Sequence, residues 1–159
     1  MLVVAAHLTQ APNDKQQIAP ALQSLAALPQ ALGTPANLLA DTGYFSAANV
    51  AACAAAGIEP LIAMGRQGHH QPVFERFAAD TPAPVTDDPV DRMAHRLTTR
   101  AGRALYGLRK QTVEPVFGII KQAMGWRRMS MRGLDAAKGE WTLVTMAWNI
   151  KRLNVLRIA

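Results

Sequence analysis

The chain has 159 residues, half of them apolar, one cysteine and a formal charge of +6. That length holds one domain or a part of one, and a lone Cys53 excludes an internal disulfide and fits a reducing, cytoplasmic setting. No stretch approaches the roughly 18 continuous apolar residues of a membrane span, so no membrane role is expected, and Met1-Leu2-Val3-Val4-Ala5-Ala6-His7 lacks the basic leader of a secretory signal.

In chain order, Leu2 to Thr9 reads as a strand, apolar and partly β-branched, ended by the turn residues Ala11-Pro12-Asn13-Asp14. Asn13 or Asp14 suits the cap of a helix running toward Leu28, with Ile18, Leu22, Leu25 and Leu28 at three- and four-residue spacing. Gly33-Thr34-Pro35 breaks the chain before a short strand, Asn37 to Ala40. Ser46 is a good N-cap for an alanine-rich helix ending at Gly57, with Cys53 as a small buried hydrophobe. Pro60 to Met64 follows as another strand, and strand–helix–strand over so short a span implies a parallel crossover.

The segment 65–91, with Pro72, Pro82, Pro84 and Pro89, reads as an irregular connection. Asp87, Asp88 and Asp91 flank Pro89 at a helix start, where negative charge suits the macrodipole. His69-His70 in that connection reads as a solvated pair. From Pro89 onward the pattern is helical. Val113, Val116, Phe117, Ile120 and Met124 form one apolar stripe. Leu134, Ala137, Trp141, Val144 and Trp148 form another.

Charge divides sharply along the chain. Residues 1–99 carry five Lys/Arg and eight Asp/Glu; residues 100–159 carry twelve Lys/Arg and three Asp/Glu. A basic C-terminal third with net +9 points to a polyanionic partner or, failing one, to a solvated basic face.

Two acids stand out. Asp41 ends the strand in Leu38-Leu39-Ala40-Asp41-Thr42-Gly43-Tyr44, and ligands gather at the carboxyl ends of parallel strands. Its plainer role is to hydrogen-bond the following turn. Asp-Thr-Gly also suggests an aspartic protease, but that fold needs an almost wholly β chain. Glu114 lies within Tyr106-Gly-Leu-Arg109-Lys110-Gln-Thr-Val-Glu114-Pro-Val-Phe-Gly-Ile-Ile-Lys121, a stretch dense in positive charge. At about 100° per residue, Glu114 and Lys121 lie on one face beside the apolar stripe, two turns apart. The plainer reading pairs Glu114 with Lys110 at i, i+4. Thr112 and Pro115 suit a helix start or kink near Glu114. Carboxylates among Lys, Arg and Tyr are what a site needs to hold a hard cation beside a phosphodiester.

The two stretches together resemble the second acidic strand and the third-acid helix of DDE-type insertion-sequence transposases. Tyr106, Arg109, Glu114 and Lys121 are similar to that family's Tyr–Arg–Glu–Lys signature. The Glu-to-Lys spacing agrees, while the Arg-to-Glu spacing is one residue longer and Lys110 stands at the strict Arg position. Arg132-Gly133-Leu134 and Glu140-Trp141 with Asn149 look like the family's C-terminal helical segment. The resemblance implies an α/β, ribonuclease H-like fold, truncated at the N-terminus, with residues 1–159 forming the C-terminal part of the catalytic domain.

The resemblance further implies DNA transposition by metal-dependent strand cleavage and transfer, with Asp41 and Glu114 as catalytic ligands of Mg²⁺ or Mn²⁺. Tyr106, Arg109, Lys110 and Lys121 are the implied DNA-binding residues. The partners would be DNA at element ends and target, and self-association or pairing with a full-length transposase. The setting would be a bacterial cytoplasm, near the nucleoid. The family's first Asp has no counterpart here, since Asp14, the one acid in the first 40 residues, reads as a helix cap. The chain alone is therefore expected not to cleave DNA. A catalytically dead DNA-binding remnant and a related metal nuclease are the alternatives.

Overall fold

A computed structural model describes residues 1–65 and 79–158. A 3-10 turn, Asp14–Gln17, leads into helix α1, Ile18–Ala26. Asn13 is the cap: its side-chain oxygen accepts from the Lys15 N–H at 2.9 Å. Asp14 is therefore the first residue of the turn rather than its cap, a correction that frees its carboxylate for another contact. Strand β1, Asn37–Ala40, pairs in parallel with β2, Glu59–Ile62, in the register Asn37↔Glu59 through Ala40↔Ile62. The connecting helix α2, Ala47–Ala55, is capped by Ser46, whose hydroxyl accepts from Asn49 N–H at 3.1 Å. It stops at Gly57, whose φ of 70° only glycine adopts cheaply.

Residues 79–88 have no regular structure, in line with the irregular connection; residues 66–78, with His69 and His70, lie outside the described residues. Helix α3, Pro89–Thr98, begins where the acids and proline predict, Asp88 accepting from Val90 N–H at 2.8 Å. Helix α4, Arg100–Gln122, follows after Thr99, which caps it through Gly102 N–H at 3.0 Å. The two helices turn so tightly there that a Cβ at Gly102 would overlap the Arg96 carbonyl. Helix α5 spans Leu134–Ile158.

Two apolar clusters form the core, and α4 belongs to both. Ile18, Val50, Cys53, Leu61, Ile62, Met93 and Leu97 bury the sheet and its helices, with Leu105 and Tyr106 of α4 packed against them. Further along, Val116 and Ile120 of α4 meet Trp148 of α5, flanked by Trp126, Trp141 and Val144. The stripe near Glu114 is only partly buried, because Val113 and Phe117 remain 51% and 42% exposed. Arg96 of α3 reaches Glu59 and, at 3.0 Å, Asn37. It thus clamps the N-terminal ends of both strands and leaves their carboxyl ends to the candidate site.

The expected strand Leu2–Thr9 does not form. One residue of it is paired by a side chain instead: Val3 N–H donates to Asn149 Oδ1 at 2.8 Å, and Asn149 Nδ2 donates to Val3 C=O at 2.7 Å. The sheet accordingly has two strands among the described residues rather than three. The result is a mixed helix–sheet chain, compatible with the expected α/β class.

The expected break near Glu114 is also absent, because α4 runs unbroken through Pro115. A proline inside a helix leaves the carbonyl four residues earlier without its partner. Here that carbonyl belongs to Gln111, and both residues are exposed, so it is open to solvent.

Candidate functional site

Asp41 leaves the carboxyl end of β1 and caps the 3-10 turn Thr42–Tyr44, accepting from Thr42 N–H through Oδ1 at 2.8 Å. Its other oxygen stands 3.5 Å from Arg109 Nη1 on α4. The turn-capping role and a role toward a neighbouring helix therefore coexist in one carboxylate. The Arg109 guanidinium lies 5.5 Å from the centroid of Tyr106, one turn earlier on the same helix. Its Nε is buried without a hydrogen-bond partner, so the Asp41 contact and the ring face are what hold this charge in place.

A second carboxylate approaches the same turn. Asp14 Oδ2 lies 3.0 Å from where a Cβ on Gly43 would stand, so Gly43 lets the two turns touch. Burial raises the Tyr44 phenol pKa above its ordinary value, and the negative charges of Asp14 and then Asp41 raise it further. Asn49 ties the arrangement together: buried in α2, its Nδ2 donates at 2.8 Å to both the Lys15 and Tyr44 carbonyls. Asp14, Asp41, Tyr44, Tyr106 and Arg109 thus gather at one end of the sheet. Sequence reasoning missed Asp14 and Asn49 here, because nothing local marks a contact between turns nearly thirty residues apart.

Glu114 is exposed on α4, and no ion pair or hydrogen bond engages it among the described residues. The plain i, i+4 pairing with Lys110 is not made: the ion pairs found join Arg96 to Glu59, Arg109 to Asp41, and Lys138 to Asp135. Five residues separate Arg109 from Glu114, about 7.5 Å along the axis and roughly 140° around it. Lys110, Glu114 and Lys121 therefore share a face turned about 100–140° around the helix from Arg109, and no contact among the described residues brings Glu114 to Asp41. Lys110 and Lys121 are exposed, and the Lys121 ammonium lies 6.0 Å from the Phe117 ring centroid.

Among the described residues no three His, Cys, Asp or Glu side chains come close enough to hold a metal ion. Ca²⁺ takes about six to eight oxygen ligands, largely from the protein, whereas Mg²⁺ is held by one or two carboxylates that act together with waters and substrate phosphates. The donors present do not make the first of these sets by themselves. Nor does the groove of some 440 Å³ between the N-terminal segment and α4 offer one: it is lined mainly by apolar residues such as Val3, Val113, Val116 and Trp141. Buried Cys53, its thiol pKa raised by burial, is no nucleophile. No helix among the described residues is long and apolar enough to cross a membrane.

Compared with known proteins, residues 1–150 match the family model described as the transposase DDE domain. No curated protein and no solved structure matches the chain.

Proposed function

The chain belongs to the transposase DDE-domain family, and from that membership, with its transposition-related function and DNA substrate, we propose that Asp41 and Glu114 are two carboxylates of the family's cleavage site. The observation that carries this reading is the Asp41–Arg109 contact. It joins the strand-end carboxylate to the helix that also bears Glu114 and Lys121. Tyr106 and Arg109 shape the junction, while Lys110 and Lys121 meet DNA phosphates as exposed cations. The fold in this reading is ribonuclease H-like.

A divalent metal, Mg²⁺ or Mn²⁺, is bound in this reading only when a third carboxylate joins Asp41 and Glu114, and no step is assigned to it here. The chain by itself then binds DNA without cutting it, and the binding part of this reading is supported by its basic C-terminal third. Self-association, or pairing with a full-length transposase, belongs to the same proposal. It is supported by the two-stranded sheet, each strand of which has one edge without a strand partner among the described residues.

The test is cleavage of an element-end duplex in Mn²⁺, by the 159-residue chain and by a version extended at its N-terminus with an Asp-bearing segment. The expected result is no cleavage by the first and cleavage by the second, abolished by Asp41→Ala and by Glu114→Ala. Cleavage that survives either substitution overturns the assignment.

A further inference from the structure

Between α4 and α5 the chain makes a loop unlike the solvated connection its polar residues suggest. Both oxygens of Glu140, on α5, are taken up by it. Trp126 Nε1 donates at 3.0 Å, Ser130 N–H to the two oxygens at 2.9 and 2.8 Å, and Met131 N–H at 3.0 Å. The next residue, Trp141, packs against Trp126 at 5.2 Å between ring centroids and stacks on Phe117 at 5.8 Å. Trp126 N–H returns to the Ile120 carbonyl at 3.2 Å, closing the end of α4. Gly125 and Gly133, with φ of 72° and 89°, make the bends on either side. The loop is fixed at both ends and in the middle.

What it presents is charge. Arg127, Arg128 and Arg132 are all exposed, and none makes an ion pair among the described residues. Arg127 Nη2 donates to Gln122 Oε1 at 3.0 Å, which orients it without neutralising it. Between residues 115 and 139 the one acid is Asp135, already beside Lys138. The remaining nearby carboxylate, Glu140, is spent on backbone and indole donors. An anchor of four hydrogen bonds that neutralises none of the arginines around it is not needed by a face that merely meets water. It suits guanidinium groups that must keep one spacing toward a row of phosphates.

We propose that residues 125–133 form a DNA-backbone contact separate from the Asp41–Arg109 junction, with Glu140 as the positioning residue that holds Arg127, Arg128 and Arg132 toward phosphates. The partner is duplex DNA read through its backbone rather than its bases. This inference rests on the DNA-binding reading above.

The experiment is fluorescence anisotropy of a random-sequence duplex, titrated with the 159-residue chain at several salt concentrations. Each phosphate contact contributes roughly 0.9 to the slope of log affinity against log salt. The double variant Arg128→Ala/Arg132→Ala, which leaves the Glu140 anchor intact, is expected to lower the slope by about 1.8. Glu140→Gln removes one negative charge, so electrostatics alone would tighten binding. A positioning role instead weakens it, by about threefold or more, the worth of one phosphate contact over a fourfold change in salt. Trp126 fluorescence should report a loosened loop in the same variant. An unchanged slope in the double variant, or equal or tighter binding by Glu140→Gln, overturns the proposal. If Lys121→Ala lowers the slope while the double variant does not, this inference alone fails. If the unsubstituted chain shows no salt-dependent binding, the DNA reading falls with it.

Discussion

Asp41 and Arg109 stand 3.5 Å apart, the first at the end of a strand and the second midway along a 23-residue helix. Asp41 is 60% exposed and Arg109 22%, so their mutual attraction is worth only about 0.2–1 kcal/mol. Arg109 contributes more through packing, its side chain largely buried and its guanidinium 5.5 Å from the Tyr106 ring centroid. Asp41→Asn, which keeps an oxygen for the Thr42 cap, is expected to cost no more than about 1 kcal/mol in urea unfolding. Arg109→Ala should cost clearly more, roughly 1–3 kcal/mol. Equal losses would mean the ion pair, not the packing, holds the helix to the strand.

Lys110 and Lys121 are free to meet phosphates, whereas Arg109 is already beside a carboxylate. Lys110→Ala and Lys121→Ala are each expected to reduce the salt slope of DNA binding by about 0.9. Arg109→Ala should reduce it by less. A larger loss of slope at Arg109 than at either lysine would place the DNA over the Asp41 junction instead.

Tyr44 offers a spectroscopic handle. Burial, Asp14 and Asp41 all raise its pKa in the folded state above the ordinary 10.0. The phenol holds its proton more tightly folded than unfolded, so its contribution to stability is full below pH 10 and is lost as pH rises through the raised folded value. Ultraviolet titration should show one of the two tyrosines ionising late. Asp14→Asn and Asp41→Asn should each bring that titration earlier, with burial keeping it above 10. No movement in either variant would separate these acids from Tyr44.

Asn49 is the polar keystone of the same corner. Replacing it with Ala removes two hydrogen bonds and strands the Lys15 and Tyr44 carbonyls. The expected loss is roughly 2–4 kcal/mol, the sum of two such bonds and the desolvated acceptors they leave. Asn49→Asp, which cannot donate from its carboxylate, should be no better than Ala. A loss below about 0.5 kcal/mol would show that water takes over both carbonyls.

Elements whose signals lie within three or four residues of one another were legible in the sequence. Ser46 caps the helix it was expected to cap, a helix starts at Pro89 among the acids as read, and Asp41 ends its strand as read. What failed was tertiary. Leu2–Thr9 has the composition of a strand, but its Val3 is paired by an asparagine 146 residues away rather than by a neighbouring strand. Pro115 reads as a boundary because a buried helix would break there; an exposed one need not. Asp14 reads as a cap while its neighbour Asn13 does that work, and only the contact at Gly43 shows where the carboxylate goes. Glu140, with neither Arg nor Lys beside it in sequence, gave no local sign that it holds an arginine loop.

Asn149 and Val3 also set an order of events. Asn149 is made 146 residues after Val3, so during synthesis the Val3 backbone waits for the side chain that pairs it. At roughly 5–20 residues per second, several seconds pass before its clamp exists. Docking of Val3 is thus a step that follows synthesis of α5, and until then this segment is open to chaperones and to capture by other chains.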